Sequence, residues 1–132
     1  MSLIELMVAM AIVGILAALA YPSYQRYVAR SQRNSATACL SQYAQFMERH
    51  YTTAMTYEAA PIPPDGLPCT RESDLDERYT IAVSNIAART YTLAATPRGV
   101  QATIDAQCGT LRLTETGERS VSGAAGRDQC WR

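Results

Sequence analysis

Lysine is absent from this chain, and all twelve of its basic residues are arginine, a choice that nothing in the pattern of the sequence explains. Twelve acidic residues balance them to a formal net charge of zero, so there is no electrostatic case for dedicated nucleic-acid binding. Histidine occurs once, at His50, and without a second imidazole or a close cysteine pair no metal centre is expected. No nucleophile motif or glycine-rich phosphate loop accompanies His50, so the chain offers no catalytic constellation and calls for no cofactor. Internal repeats are also missing. The length of 132 residues suits one domain plus a long helix.

Charge and strong polarity are missing from residues 6–20 as well. A helix there has no watery face, and with its flanks it is about long enough to cross a bilayer core. Glu5 stands at its start. A carboxylate placed deeply in lipid costs roughly 2.5–3.5 kcal/mol, so this one either snorkels to the headgroups or is reserved for a partner. Gly14 weakens the helix within the apolar stretch, and Pro22 removes a backbone donor and crowds the preceding turn, so a bend or local loss of helix is expected near residue 22. A cleaved secretory signal is the competing reading of this segment. It is set aside because the apolar run flows into further helix and lacks a basic start.

Beyond Pro22 the helical pattern becomes amphipathic. Ala36, Leu40, Tyr43, Met47, His50 and Ala54 recur at helical spacing, flanked by Cys39 and Phe46, and this stripe needs a sheet to cover it. Residues 59–68 (Ala-Ala-Pro-Ile-Pro-Pro-Asp-Gly-Leu-Pro) can be neither regular helix nor central strand and continue as loop through residues 71–77. Short period-two runs follow at Tyr79, Ile81 and Val83; Tyr91, Leu93 and Ala95; Val100, Ala102 and Ile104; and Leu111 and Leu113. They predict an antiparallel meander of four strands with one face on the helix. The Gly- and Ser-rich tail from residue 117 has no apolar period. The four cysteines, Cys39, Cys69, Cys108 and Cys130, are too scattered for a zinc site and read as two disulfides, which places the domain outside the cytoplasm. Spacing leaves all three connectivities open.

The opening Met1-Ser2-Leu3-Ile4-Glu5-Leu6-Met7 resembles the N-terminal segment of type IV pilins, whose mature chains begin with an aromatic or Met residue followed by Thr/Ser-Leu-Ile-Glu-Leu-Met. Cys108-Gly109-Thr110-Leu111 and Cys130-Trp131 look like the C-terminal signature of PilE-type and related pilins. The resemblance covers the whole chain. It implies the α+β type IV pilin fold, with a long N-terminal helix packed on a four-stranded antiparallel sheet and a disulfide-closed C-terminal loop. Residues 1–24 are then membrane anchor and filament core, and residues 25–132 the globular domain. That domain divides into an amphipathic helix (25–54), a connecting loop (55–77), the sheet (78–114) and a C-terminal D-region (115–132). The resemblance also implies Cys39 paired with Cys69 and Cys108 with Cys130, worth roughly 3–4 kcal/mol each in the chain-entropy model.

The functional expectation is a structural subunit of an extracellular type IV pilus, serving surface motility, adhesion or DNA uptake through the filament. A type II secretion pseudopilin is the runner-up, and a membrane-tethered periplasmic enzyme or binding module stands behind both. The expected partners are other pilin subunits, the inner membrane before assembly and the pilus assembly machinery, with no specific nucleic acid. The location is the bacterial inner membrane, with the domain in the periplasm, and then the extracellular pilus. Met1 is taken as the N-methylated mature residue, since Glu5 then stands fifth as in the family. The assembly residues are thus Met1 and Glu5, with Glu5 attracting a neighbouring subunit's amine. Gly14 and Pro22 bound a segment expected to lose helix in the filament. Arg26, Arg30 and Arg33 are read as a solvated or headgroup-facing run, with salt bridges to adjacent subunits as the other reading. His50 is expected to be packed and hydrogen-bonded. The acidic loop residues Glu72, Asp74, Asp76 and Glu77 lack the ligand pattern of an EF-hand and are read as solvated. Trp131 is expected to anchor packing beside Cys130.

Overall fold

A computed structural model describes residues 1–131. Helix α1 runs unbroken from Leu3 to Ala54. Ser2 caps it: the Ser2 hydroxyl accepts from the Glu5 amide and the Glu5 carboxylate from the Ser2 amide, each at 3.4 Å, a reciprocal pairing that satisfies two donors the first turn leaves open. The helix ends where Met55 turns left-handed at φ 56° and returns its amide to the Tyr51 carbonyl.

Pro22 lies inside α1, and the local loss of helix expected there is not seen in the single chain. The cost of an internal proline, about 3 kcal/mol, falls in a helix whose flanks are strong formers, with Ala17, Ala18 and Ala20 on one side and Gln25 and Arg26 on the other.

After two 3-10 turns (Pro68–Thr70 and Glu72–Asp74) and α2 (Leu75–Arg78), the sheet forms from β1 (Tyr79–Ser84), β2 (Thr92–Pro97), β3 (Leu111–Thr114) and β4 (Arg119–Val121), antiparallel throughout in the order β1-β2-β3-β4. Val83 faces Leu93, which faces Leu113, so the apolar residues of three strands meet on one side. Against them lie Ala36, Cys39, Leu40, Tyr43 and Met47 of α1, all essentially buried. This is the core, and both disulfides, Cys39–Cys69 and Cys108–Cys130, border it in the pairing that the resemblance implied.

Two strand assignments need correction. Residues Val100–Ile104 form a short helix, α3, not the third strand. Gly99, at φ 60° and ψ −134°, turns the chain out of the sheet. Moreover, the buried positions are the polar ones: Gln101 and Asp105, four apart, are 0 % and 3 % exposed, while Val100 is 57 % exposed. The remaining strand, β4, comes from the tail instead. Its neighbour segment is bound to the chain around Cys108: the Ser122 amide donates to Thr110, Gly123 to Cys108 and Ala125 to Gln107, at 2.9–3.0 Å. Gly123 lies so close to residue 107 that a Cβ there would collide with the Gln107 carbonyl.

Candidate functional site

Burial divides α1 in two. None of its most apolar 18-residue window is covered by the rest of the chain, and Met10, Leu16 and Leu19 stand 76 %, 60 % and 72 % exposed. So much apolar surface, continuous along a helix, marks a membrane or protein-binding segment. Glu5 sits at its tip, bound to Ser2 of its own capping box, and among the described residues no cation pairs with it. The helix start favours a negative charge, so the carboxylate is oriented and unneutralised. Met1 is 97 % exposed beside it. Met1 and Glu5 are thus both at the open tip of the helix, while Gly14 has open space around it and contacts nothing that fixes its role.

The second half of α1 carries a polar anchor. Arg33, 7 % exposed, pairs with Asp105; the reading of Arg33 as solvated or reserved for an adjacent subunit is corrected, because its partner is in its own chain. The Tyr79 hydroxyl donates to the other Asp105 oxygen at 3.4 Å, and the Gln101 amide reaches both the Tyr79 hydroxyl (3.0 Å) and the Ala29 carbonyl (2.9 Å). Burial raises the Asp105 pKa and outweighs the opposing effect of Arg33. Burial also pushes the Tyr79 hydroxyl well up, only partly offset by its hydrogen bond with Gln101. The network therefore holds α3 and β1 against the helix at Ala29 and Arg33, where the buried stripe of α1 begins. Asp105, Gln101 and Tyr79 escape detection as polar anchors in the sequence; the one signal available is the four-residue spacing of Gln101 and Asp105, obscured by the alternating apolar residues around them.

At the far end, the Glu48 carboxylate accepts from Tyr57 at 2.8 Å and Tyr91 at 3.3 Å. The Tyr57 ring lies 4.7 Å from both the Tyr51 and Tyr91 rings. Burial, reinforced by the Glu48 charge, pushes the Tyr57 hydroxyl up to about 12. His50 is half-buried, with its Nε2 3.1 Å from the Glu58 carbonyl. Trp131 donates to the Ser120 carbonyl at 3.2 Å, with Arg119 above its ring. Glu72, Asp74, Asp76 and Glu77 are exposed. These groups are structural in their surroundings, and none converges on a cleft with a nucleophile.

Comparison with known proteins decides the family. Residues 22–112 match the family described as type IV minor pilin ComP, DNA uptake sequence receptor. The chain belongs to that pilin family. Residues 1–21 of this pilin match the prokaryotic N-terminal methylation motif. Its relatives include fimbrial protein EcpC of Eikenella corrodens, 66 % identical over 35 residues (26 % of this chain, 23 % of that protein). Another is the type IV major fimbrial protein FimA of Dichelobacter nodosus, 68 % identical over 31 residues (24 % of this chain, 20 % of that protein). These matches thus span a fifth to a quarter of the relatives' lengths. In fold, the pilin is similar to the non-core minor pilin PilV of Neisseria meningitidis, with a TM-score of 0.57 at 20 % identity over 79 % of this chain and 94 % of that one. The family and fold are structural rather than enzymatic.

Proposed function

We propose that this pilin is a subunit of an extracellular type IV pilus, held in the bacterial inner membrane by residues 1–24 with its domain in the periplasm until it is incorporated. The observation that carries the reading is the wholly uncovered apolar window of α1 with one oriented, unneutralised carboxylate at its tip. In lipid that surface is solvated by acyl chains; in a filament the same surface packs on other subunits, and Glu5 meets the amine of a neighbour's Met1. Leaving either charge alone in a low-dielectric core is costly, which makes the paired, assembled state favourable. In the assembled state the segment from Gly14 to Pro22 opens, tolerated because neighbouring helices exclude lipid from the freed backbone groups. No catalytic role is assigned.

The deciding experiment co-expresses wild type with Glu5→Ala and measures both in membranes and in sheared filaments. The variant is expected to insert normally and to be depleted from filaments. Normal incorporation would overturn the assembly role, and absence of wild type from sheared material would overturn the pilus reading in favour of a pseudopilin or tethered module.

The family's description brings in a second reading, capture of DNA, which the neutral net charge had not suggested. It is supported by the outer face of the sheet. Thr80, Ala82, Ser84 and Thr96 are exposed there, Arg112 stands opposite Ala94 and Ser120 in the register, and none of these positions is acidic. A face with no carboxylate at these positions and a central arginine can approach a phosphate backbone without repulsion. Fluorescence anisotropy with duplex DNA should show salt-dependent binding that weakens in Arg112→Ala; binding indifferent to salt and to this substitution would exclude that face.

A further inference from the structure

A cavity of about 900 Å³ separates the first turns of α1 beyond the apolar segment from the end of α3 and the segments leading to Cys108 and Cys130. Its helical wall begins at Pro22 and carries Arg26, Arg30 and Arg33; Asp105 and Asp128 line the opposite side. Arg33 is matched by Asp105, and Asp128 is paired with Arg127 at 3.2 Å. That leaves Arg26 and Arg30, both exposed, with no carboxylate within 4 Å among the described residues. Arg33 itself keeps a buried Nε–H at this wall without a hydrogen-bond partner.

The position of the cavity along α1 selects its occupant. At 1.5 Å per residue, Arg26 stands about 9 Å beyond Ala20, the end of the apolar run, and a headgroup layer is roughly 5–7 Å deep on each side of the hydrocarbon. Helical side chains lean toward the N-terminus, so Arg26 and Arg30 lean back toward that layer. Tyr21, Tyr24 and Tyr27, exposed at 64 %, 65 % and 69 %, form the aromatic belt expected at the same depth. We propose that this cavity binds the phosphate of an anionic phospholipid headgroup in the leaflet beneath the domain, with Arg26 and Arg30 as its donors. This rests on the membrane-anchored reading given above. Because the headgroup has to leave before the helix packs among other subunits, lipid release becomes part of incorporation.

The test uses the full chain in nanodiscs of phosphatidylcholine alone, and of phosphatidylcholine with an equal share of phosphatidylglycerol, read by native mass spectrometry of the released protein. Wild type is expected to retain phosphatidylglycerol in preference to phosphatidylcholine. Arg26→Gln/Arg30→Gln should reduce that preference roughly thirtyfold, the combined strength of two basic residues at an anionic surface, while Arg49→Gln, on the same helix outside the cavity, leaves it unchanged. Inorganic phosphate added to the mixed discs measures how much of the recognition belongs to the phosphate alone; displacement of phosphatidylglycerol from wild type supports a phosphate site. Equal retention of both lipids by wild type, or an unaltered preference in the double variant, would overturn the proposal, as would a two-chain species lost in that variant, which would assign the cavity to a neighbour's carboxylate. Failure to enter neutral discs at all would instead defeat the anchoring reading.

Discussion

The two halves of α1 share one backbone and differ in what covers them. Residues 3–24 are exposed wherever the helix turns, and only Gln25 and Val28 are half-buried before Ala29. From Ala29 onward one stripe disappears into the core, led by Ala36, Cys39, Leu40, Tyr43 and Met47. Residues 6–20 are apolar on every side, a surface that suits lipid or the interior of an assembly, because a helix satisfies its own backbone groups. The second half is apolar on one side and stable because a sheet covers that side. Their boundary is polar: Arg33, Asp105, Tyr79 and Gln101 bind the helix to the domain at the point where its surroundings change. The helix thus passes from an uncovered to a covered stretch without a break, its junction fixed by directional bonds.

The largest expected effect comes from attacking that junction. Asp105→Ala removes the acceptor shared by Arg33 and Tyr79, leaving buried donors unpaired, and should destabilise the domain by about 3–5 kcal/mol; the paired replacement Arg33→Met/Asp105→Leu should recover most of the loss. Chemical denaturation followed by circular dichroism checks both, and an additive double variant would show that the pair is not coupled. Next in size, Cys108→Ser/Cys130→Ser should cost about 3 kcal/mol in the same measurement, with the region around β4 losing hydrogen-exchange protection first. Gly123→Ala forces the tail away from the Gln107 carbonyl and should cost about 1–3 kcal/mol, also read as faster exchange at the amides of Gly123 and Ala125.

A smaller effect separates charge from packing. The folded pKa of Asp105 is raised by burial above its ordinary 3.8, so its contribution is fully present below the unfolded value and is lost as pH rises through the folded one. The stability of wild type relative to Asp105→Asn should therefore increase as pH falls from neutrality toward 3.8. A difference that shrinks over that range would reverse the sign assigned to the burial of Asp105. Smallest of all, Leu16→Ala in the uncovered half should change domain stability by less than about 0.5 kcal/mol; a larger loss would show that the halves are not energetically separate.

The uncovered half is legible in sequence because its surroundings demand an unbroken apolar run, a signal that survives any tertiary context. The stripe from Ala36 to Met47 is legible too, since helical period and burial agree. Legibility fails where polar residues do the packing. Val100, Ala102 and Ile104 suggest a strand, but three alternating residues fit a helical turn equally well, and the inward face there belongs to Gln101 and Asp105. Arg33 misleads for the same reason: its environment is set by Asp105, 72 residues away. The strand at Arg119–Val121 carries no apolar alternation because it is a three-residue edge strand, ordered by β3 on one side and by the cross-linked tail.

The two disulfides are consecutive along the chain, neither nested nor crossed: Cys39 joins Cys69 across 30 residues, and Cys108 joins Cys130 across 22. A domain delivered to an oxidising compartment from its anchored helix onward, as the proposed function requires, presents its thiols in that same order. The first pair can close before the third cysteine arrives, and the second pair then has only each other. On that proposed route, delivery in chain order favours the observed connectivity among the three, which needs no reshuffling.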